Sequence, residues 1–469
     1  MTLDLQKFYQ ATLPHRTLFV ENSEEDQQYY IDFSSVRGGQ IIDELKSTIA
    51  LLSLETPTCQ LFTGHVGCGK STELQRLRKE LEAEKLHVVY VDSLDHLELD
   101  DVDVSDILLV IARHVSESLA QLKLEESSDL KTTLKKVGKL LQKEIEFVEG
   151  TVPGVGKYTY DNGKVSVDFG IPGIGQVTVD SEAGVSLVAP LIGKITAKAK
   201  DSQGLRNKLR DYLEPQTQGI IEAINSELLE PSQDKLEANR KKGLVVIFDN
   251  LEKISNTNKP AQQNQQKHLF VERGQQLRQL NCHVIYTMPL GLRFSNDFRR
   301  ITENFLVQPQ VLPMVSVKLR NDKECSEGME LLQQMVLARA FPNLDEQERL
   351  NRITEIFDSP ETLKRLCQIS GGHVRTLLRL LNDSLKKQIG LPISRDSLEA
   401  VIQKYRNNTV LCIDDQEWKL LRKVTQTKKV AGSEAYNILV GGGFVYEYHD
   451  QEGPWFDINP ILADAKELQ

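Results

Sequence analysis

One stretch constrains this chain more than any other. Gly64-His65-Val66-Gly67-Cys68-Gly69-Lys70-Ser71-Thr72 is a glycine, four residues, a second glycine, then lysine and serine. A polyphosphate packs several negative charges into a small volume, so a backbone that binds it must offer many N–H donors with few side chains in the way. Gly64, Gly67 and Gly69 let the chain curl so that successive amides point inward, and a helix starting at Ser71 adds the positive end of its dipole. Lys70 is placed to reach the terminal phosphates, and the Ser71 hydroxyl to ligate magnesium. The segment 59–63 before the loop reads as a short buried strand. The segment 71–85 after it reads as a helix with Leu74, Leu77 and Leu81 on one stripe. This is a Walker A loop, and it commits the chain around it to the strand, loop and helix of an α/β P-loop NTPase with a parallel sheet.

At 469 residues the chain is too long for one core and predicts two or three domains. Its 40% hydrophobic and 26% charged residues are those of an ordinary globular protein. A net charge of −10 argues against a chain that wraps nucleic acid over its whole surface. Cys59, Cys68, Cys282, Cys325, Cys367 and Cys412 lie far apart without C-x-x-C spacing, which predicts reduced thiols in a cytoplasmic protein and no zinc site. Neither a signal peptide nor a membrane span is predicted.

Along the chain, 1–35 mixes aromatics and acids as an N-terminal extension, with Tyr29, Tyr30 and Phe33 expected to pack on the core. Residues 87–92 read as a second buried strand, and 105–119 as an amphipathic helix carrying Ile107, Leu108, Ile111, Val115 and Leu119. A lysine-rich helix is expected over 130–148. Composition then shifts: 150–195 is glycine-rich and alternating, and Asn162-Gly163 between two alternating runs signals a hairpin, so a β-rich insertion is expected. After a helical stretch from 203 to about 240, Val245-Val246-Ile247-Phe248-Asp249 is an apolar strand that delivers a carboxylate to its C-terminal edge, where open α/β sheets bind ligands. Asp249 is therefore the candidate to hold magnesium through water. A further strand ends at Thr287, the pair Arg299 and Arg300 follows, and another strand is expected over 305–317. Residues 321–408 are helical, with Gly371-Gly372-His373-Val374-Arg375 opening one helix. Residues 409–469 read as two helices and a hairpin, a winged helix. The ATPase core would then span 36–320.

In this order the elements resemble an ASCE-type P-loop ATPase of the AAA+/STAND kind, with a helical lid and a C-terminal winged helix. The resemblance implies ATP and Mg2+ as ligands, with Gly64 to Thr72 around the phosphates and Lys70, Ser71 and Asp249 on phosphate and metal. It implies Thr287 as a first sensor of the γ-phosphate, Arg375 as a second, and Arg299 or Arg300 as an arginine finger on a neighbouring subunit. An Arg-Gly element before the first strand closes over adenine in such proteins. Arg37-Gly38 fits that role, and it equally fits a plain turn. Thr287 equally fits the end of a buried strand; Arg375 fits the nucleotide role better than an ion pair within the lid, and Arg299 and Arg300 fit a solvated pair better than a finger. His65 and Cys68 need no chemistry of their own, and His373 is expected to face the lid.

One departure is plain: an amide, Asn250, follows Asp249 where AAA+ enzymes carry a glutamate. The run Asp249-Asn250-Leu251-Glu252-Lys253 is closer to KAP-type ATPases, which makes Glu252 the substitute base. The leading reading is a Mg-dependent ATP-binding switch that hydrolyses ATP, possesses a protein partner or self-associates, and couples nucleotide to lid and winged-helix docking. A DNA-handling ATPase is the second reading. Acidic residues outnumber basic ones from Leu411 onward, and 432–437 carries no lysine or arginine, which speaks against DNA. The ATPase half of a bacterial conflict or defence system is the third.

Overall fold

The computed structural model describes residues 3–18, 24–121, 158–161, 164–168, 176–180, 214, 217–255 and 264–468. In chain order its main elements begin with helix α1 (Leu5–Ala11), strand β1 (Cys59–Gly64), α2 (Lys70–Ala83), β2 (His87–Asp92) and α3 (Val104–Gln121). Strands β3 (Tyr158–Asp161), β4 (Lys164–Asp168), β5 (Gln176–Asp180), β6 (Leu244–Asp249), β7 (His283–Met288) and β8 (Gln310–Leu312) follow. Helices α4 (Ser326–Ala340), α5 (Pro360–Ser370), α6 (Val374–Gln388), α7 (Arg395–Val410), α8 (Asp415–Thr427) and α9 (Glu434–Gly441) precede the last strands, β9 (Val445–Asp450) and β10 (Gly453–Ile458).

Five parallel strands make one sheet in the order β2-β6-β7-β1-β8. β1, β6 and β7 are buried along their whole length, which is why their sequences run apolar without alternating. Their side chains still part by a period of two. On β6, Val246 and Phe248 join α3 on one face, while Val245 and Ile247 join Leu74 and Leu77 of α2 on the other. Each such side chain stabilises the fold by about 1.5–3 kcal/mol relative to exposure. The architecture is the α/β P-loop sheet, and the loops after β1, β6 and β7 leave its C-terminal edge together.

Helices α4 to α7 enclose a separate core. Phe8 of α1 and Phe33 belong to it, so the extension packs largely on these helices; Tyr29 instead meets Ala11 and Leu18, while Tyr30, through Glu73, and Asp32, through Arg76, reach α2. The predicted strand over 305–317 shrinks to 310–312. Phe305 closes a helix (Phe298–Phe305) that Leu306 ends in a left-handed conformation at φ +57°, and Pro313 halts the pairing.

The insertion contains a three-stranded antiparallel sheet, β3-β4-β5, with Asp161 opposite Lys164, the register a two-residue connection demands. Its Asn162-Gly163 turn and the helix expected over 130–148 lie outside the described residues. Among the described residues no helix is long and apolar enough to cross a membrane. At the C-terminus β9 and β10 pair antiparallel, and Tyr446, Tyr448 and Trp455 join the same cluster as Phe62 and Ile247 of the central sheet.

Candidate functional site

The loop between β1 and α2 is shaped by backbone that side chains resist. Gly67 sits at φ +96° and Gly69 at φ +107°. Gly67 is constrained twice, because a Cβ there would lie 2.8 Å from the Cβ of Arg375. Inside the loop Lys70 is buried. Its Nζ donates to the carbonyls of Gly64 (3.0 Å) and His65 (3.1 Å) and stands 2.9 Å from Oε1 of Glu252. Burial works against the ammonium, but the Glu252 carboxylate beside it outweighs that and holds the Lys70 pKa above its usual value. Glu252 is buried too, and Lys70 holds its carboxyl below the ordinary range.

Asp249, fully buried at the end of β6, is clamped from the edge strand. The Tyr90 hydroxyl donates to its Oδ2 at 2.6 Å, and the Asn250 backbone N–H donates to its Oδ1 at 2.7 Å. Asn250 then adopts a left-handed conformation at φ +66°, and its side-chain amide donates to Oδ1 of Asp92 at 2.8 Å. The residue beside the aspartate therefore turns toward β2, and the short turn Leu251–Lys253 carries Glu252 back to Lys70. Thr287 is sealed within β7: its hydroxyl accepts the Leu251 N–H at 2.9 Å and so braces that turn without lining the cleft. Burial and the nearby Glu252 charge push the Asp249 carboxyl up, while donation from the Ser71 hydroxyl, Tyr90 and Asn250 opposes them.

The donor set suits a hard cation. Ser71 and Asp249 offer oxygen only, and Oε2 of Glu252 is buried without a hydrogen-bond partner. Among the described residues no cluster of three or more histidines, cysteines or acids forms, so magnesium here would complete its shell with water and phosphate oxygens, as it commonly does.

Around this centre lies a cleft of about 830 Å³, its mouth included, lined by Gly67 to Thr72 at one end. Arg375 stands over Gly67, and its backbone N–H donates to the Gly67 carbonyl at 3.1 Å. His373 bridges α6 and the loop: its Nδ1 lies 2.6 Å from the Thr376 hydroxyl, and its Nε2 lies 3.0 Å from the Val66 carbonyl, which only accepts, so Nε2 carries the proton. Arg37 buries its guanidinium against the loop, donating through Nη2 to the Cys68 carbonyl at 2.7 Å. The cleft is walled as well by 14–18 and 29–31 of the extension, for which the sequence offered no role.

Other predicted residues point elsewhere. His65 and Cys68 contribute backbone to the loop, but the His65 ring faces the C-terminal hairpin, where Nε2 accepts the Glu447 N–H at 3.1 Å and the ring meets Tyr446 edge-on at 5.6 Å. Burial pushes its pKa down to about 4. Cys68 turns its buried thiol to the Leu312 carbonyl. Arg299 and Arg300 are exposed and do not line the cleft, and Arg299 pairs with Glu303 at 2.8 Å.

No protein-family model and no curated protein matches the chain. Among solved structures it is similar to the Walker-type ATPase of Pyrococcus abyssi, at 11% identity and a TM-score of 0.40 over 93% of this chain and 98% of that one. It is similar to the ORC2 protein of Aeropyrum pernix in ADPNP and ADP complexes, at 13% identity and a TM-score of 0.38 over 97% and 95%. It is also similar to Cdc6p from Pyrobaculum aerophilum, at 11% identity and a TM-score of 0.36 over 100% and 98%.

Proposed function

We propose that this protein is a magnesium-dependent ATP-binding switch of the AAA+/STAND kind that resets itself by hydrolysis. The observation that carries the reading is that Lys70, Ser71 and Glu252 line one cleft, with Asp249 fully buried and bonded to the Ser71 hydroxyl, beside a loop whose Gly67 and Gly69 adopt left-handed backbone. Lys70, with Arg37 and Arg375 flanking the loop, supplies positive charge for a triphosphate. Magnesium, held through Ser71 and Asp249, would neutralise the charge that develops on the phosphates.

The base in this proposal is Glu252. Asn250 cannot take a proton and is spent on Asp92, whereas Glu252 is buried, ionised and has one oxygen free. A triphosphate that draws Lys70 toward itself would leave the Glu252 carboxylate without its counter-ion, a stronger base beside the bound nucleotide. Catalysis then depends on the exchange of one ion pair, which suits a slow switch better than a fast motor.

Coupling would run through backbone. Residues 321–408 act as a lid whose His373 and Arg375 grip the carbonyls of Val66 and Gly67, and 409–469 as a winged helix touching the loop at His65. Thr287 acts by bracing the Glu252 turn. Arg299 and Arg300, being exposed, are available to a neighbouring subunit if the protein self-associates, and a protein partner is the expected recipient of the signal.

The test is Mg·ATP binding and turnover together with measured size, for wild type, Lys70→Ala and Glu252→Gln. The expected result is binding in wild type and Glu252→Gln, binding lost in Lys70→Ala, and turnover reduced by about 10²-fold or more in Glu252→Gln. Equal binding by Lys70→Ala and wild type would sink the proposal.

A further inference from the structure

The loop end of the cleft is rich in cations, as a phosphate site must be. Two further guanidiniums, Arg16 and Arg339, line the cleft away from the loop sequence; Arg16 is paired with Asp26, and Arg339 has no acid as partner among the described residues. Arg339 of α4 lines the cleft and is only 5% exposed. Its guanidinium is bound to carbonyls alone: Nε donates to Ala11 at 3.1 Å and Nη1 to Met335 at 2.8 Å. The Ala11 bond ties the N-terminal extension to α4, and the Met335 bond lies within α4. They leave Nη2 with no hydrogen bond among the described residues, facing the cleft.

The groups around it do not neutralise it. The nearest acid, Asp26, is taken by Arg16 at 2.5 Å, and Arg16 itself adds positive charge; Tyr29 is the remaining ionisable neighbour. Burial beside another guanidinium depresses the Arg339 pKa to about 10, still charged at neutral pH. A guanidinium has five N–H donors and no acceptor, so the donors of Nη2, which are not sealed in protein, are free for an acceptor that a bound molecule supplies.

The surroundings limit what that molecule can present. Leu18, Ile31, Met335, Val374 and Leu378 line the same cleft and suit the faces of a flat ring. A purine offers bare ring nitrogens at its edge, and a guanidinium N–H is a fitting donor to them.

We propose that Arg339 reads the nucleobase, its Nη2 donating to a ring nitrogen of adenine. The assignment rests on the ATP-binding reading above and adds to it the residue that recognises the base. It also gives the extension a purpose, because α1 holds the reading guanidinium in place through the Ala11 carbonyl.

The experiment is direct binding of ATP and its 1-deaza, 3-deaza and 7-deaza analogues to the full chain with magnesium. Each analogue replaces one acceptor nitrogen by C–H. One of the three is expected to bind about ten- to a hundredfold more weakly than ATP, the range for a hydrogen bond to a charged donor. In Arg339→Met, ATP should fall to the affinity of that analogue and the difference between the two should vanish.

If all three analogues bind within about twofold of ATP, the assignment is wrong although nucleotide binding stands. A variant that still discriminates is equally fatal to it. Absence of any ATP binding would instead refute the proposed function. Arg339→Met also releases the Ala11 and Met335 carbonyls, so its thermal unfolding is measured alongside; should it not fold, the wild-type analogue series decides alone.

Discussion

Lys70 is where a polyphosphate would need it, yet its charge is given to Glu252 and to two carbonyls of its own loop. A buried pair of this kind is most costly when halved, because the survivor is a charge without solvent or partner. Lys70→Ala should therefore destabilise the fold by about 3–5 kcal/mol, and Lys70→Ala/Glu252→Gln should recover most of that loss. Urea unfolding of the two single variants and the double variant checks this; additive losses would mean that the pair does not couple. The individual residues of the site differ in how far the sequence revealed them. Lys70 and Asp249 were legible because each sits at a fixed offset from a strand or a glycine. Glu252 was singled out by the amide at Asn250, and its place beside Lys70 is the part of that reading visible in the fold. Tyr90, Asp92 and Arg339 were not legible: they meet their partners 159, 158 and 328 positions away in the chain, and no local spacing encodes such contacts.

At the scale of elements, the strands of the sheet were readable because burial on both faces forces an unbroken apolar run, which loops do not carry. The extension gave no such signal: its α1 and Phe33 pack on helices more than three hundred residues later, and neither shows a period of its own. The junction of the loop, α6 and the hairpin was equally hidden. There Tyr446 of β9 lies 5.6 Å from the His65 ring and 5.7 Å from that of His373, and both imidazoles are neutral. Burial sets His65 at about 4 against an ordinary 6.5. Between those values an unfolded chain takes up a proton that the folded chain does not. The contribution of His65 is thus complete above pH 6.5 and is lost as pH falls from 6.5 toward 4, on the order of a few kcal/mol in all. Burial pushes His373 down to about 3, and it adds in the same direction. Melting temperature should fall over this window in wild type and fall less in His65→Gln. Parallel curves would show that His65 is not the titrating group.

For the whole molecule, the question is whether the C-terminal module is a separate reader or a part of the core. Its hairpin supplies Tyr446, Tyr448 and Trp455 to the sheet face, and Glu447, fully buried, takes Arg293 from the segment after β7 at 2.6 Å while its N–H reaches His65. The helix that would enter a DNA groove, α9, packs on the same segment, Leu290–Phe294: a Cβ on Gly291 would come within 1.8 Å of Oδ1 of Asn437. Contacts this close mean that α9 cannot present that face to a duplex without undocking. Gly291→Ala should loosen α9, and the variant offers a way to ask what the helix does once released. With Glu434 in its first turn and no lysine or arginine along its length, α9 gains nothing from the phosphate backbone, which supplies most of the affinity in DNA binding. Gly291→Ala is therefore expected to lower the melting temperature by a few degrees and to show no duplex binding at 50 mM or 200 mM salt. A salt-dependent gel shift that appears in Gly291→Ala and not in wild type would mark α9 as a DNA reader held shut by the segment after β7.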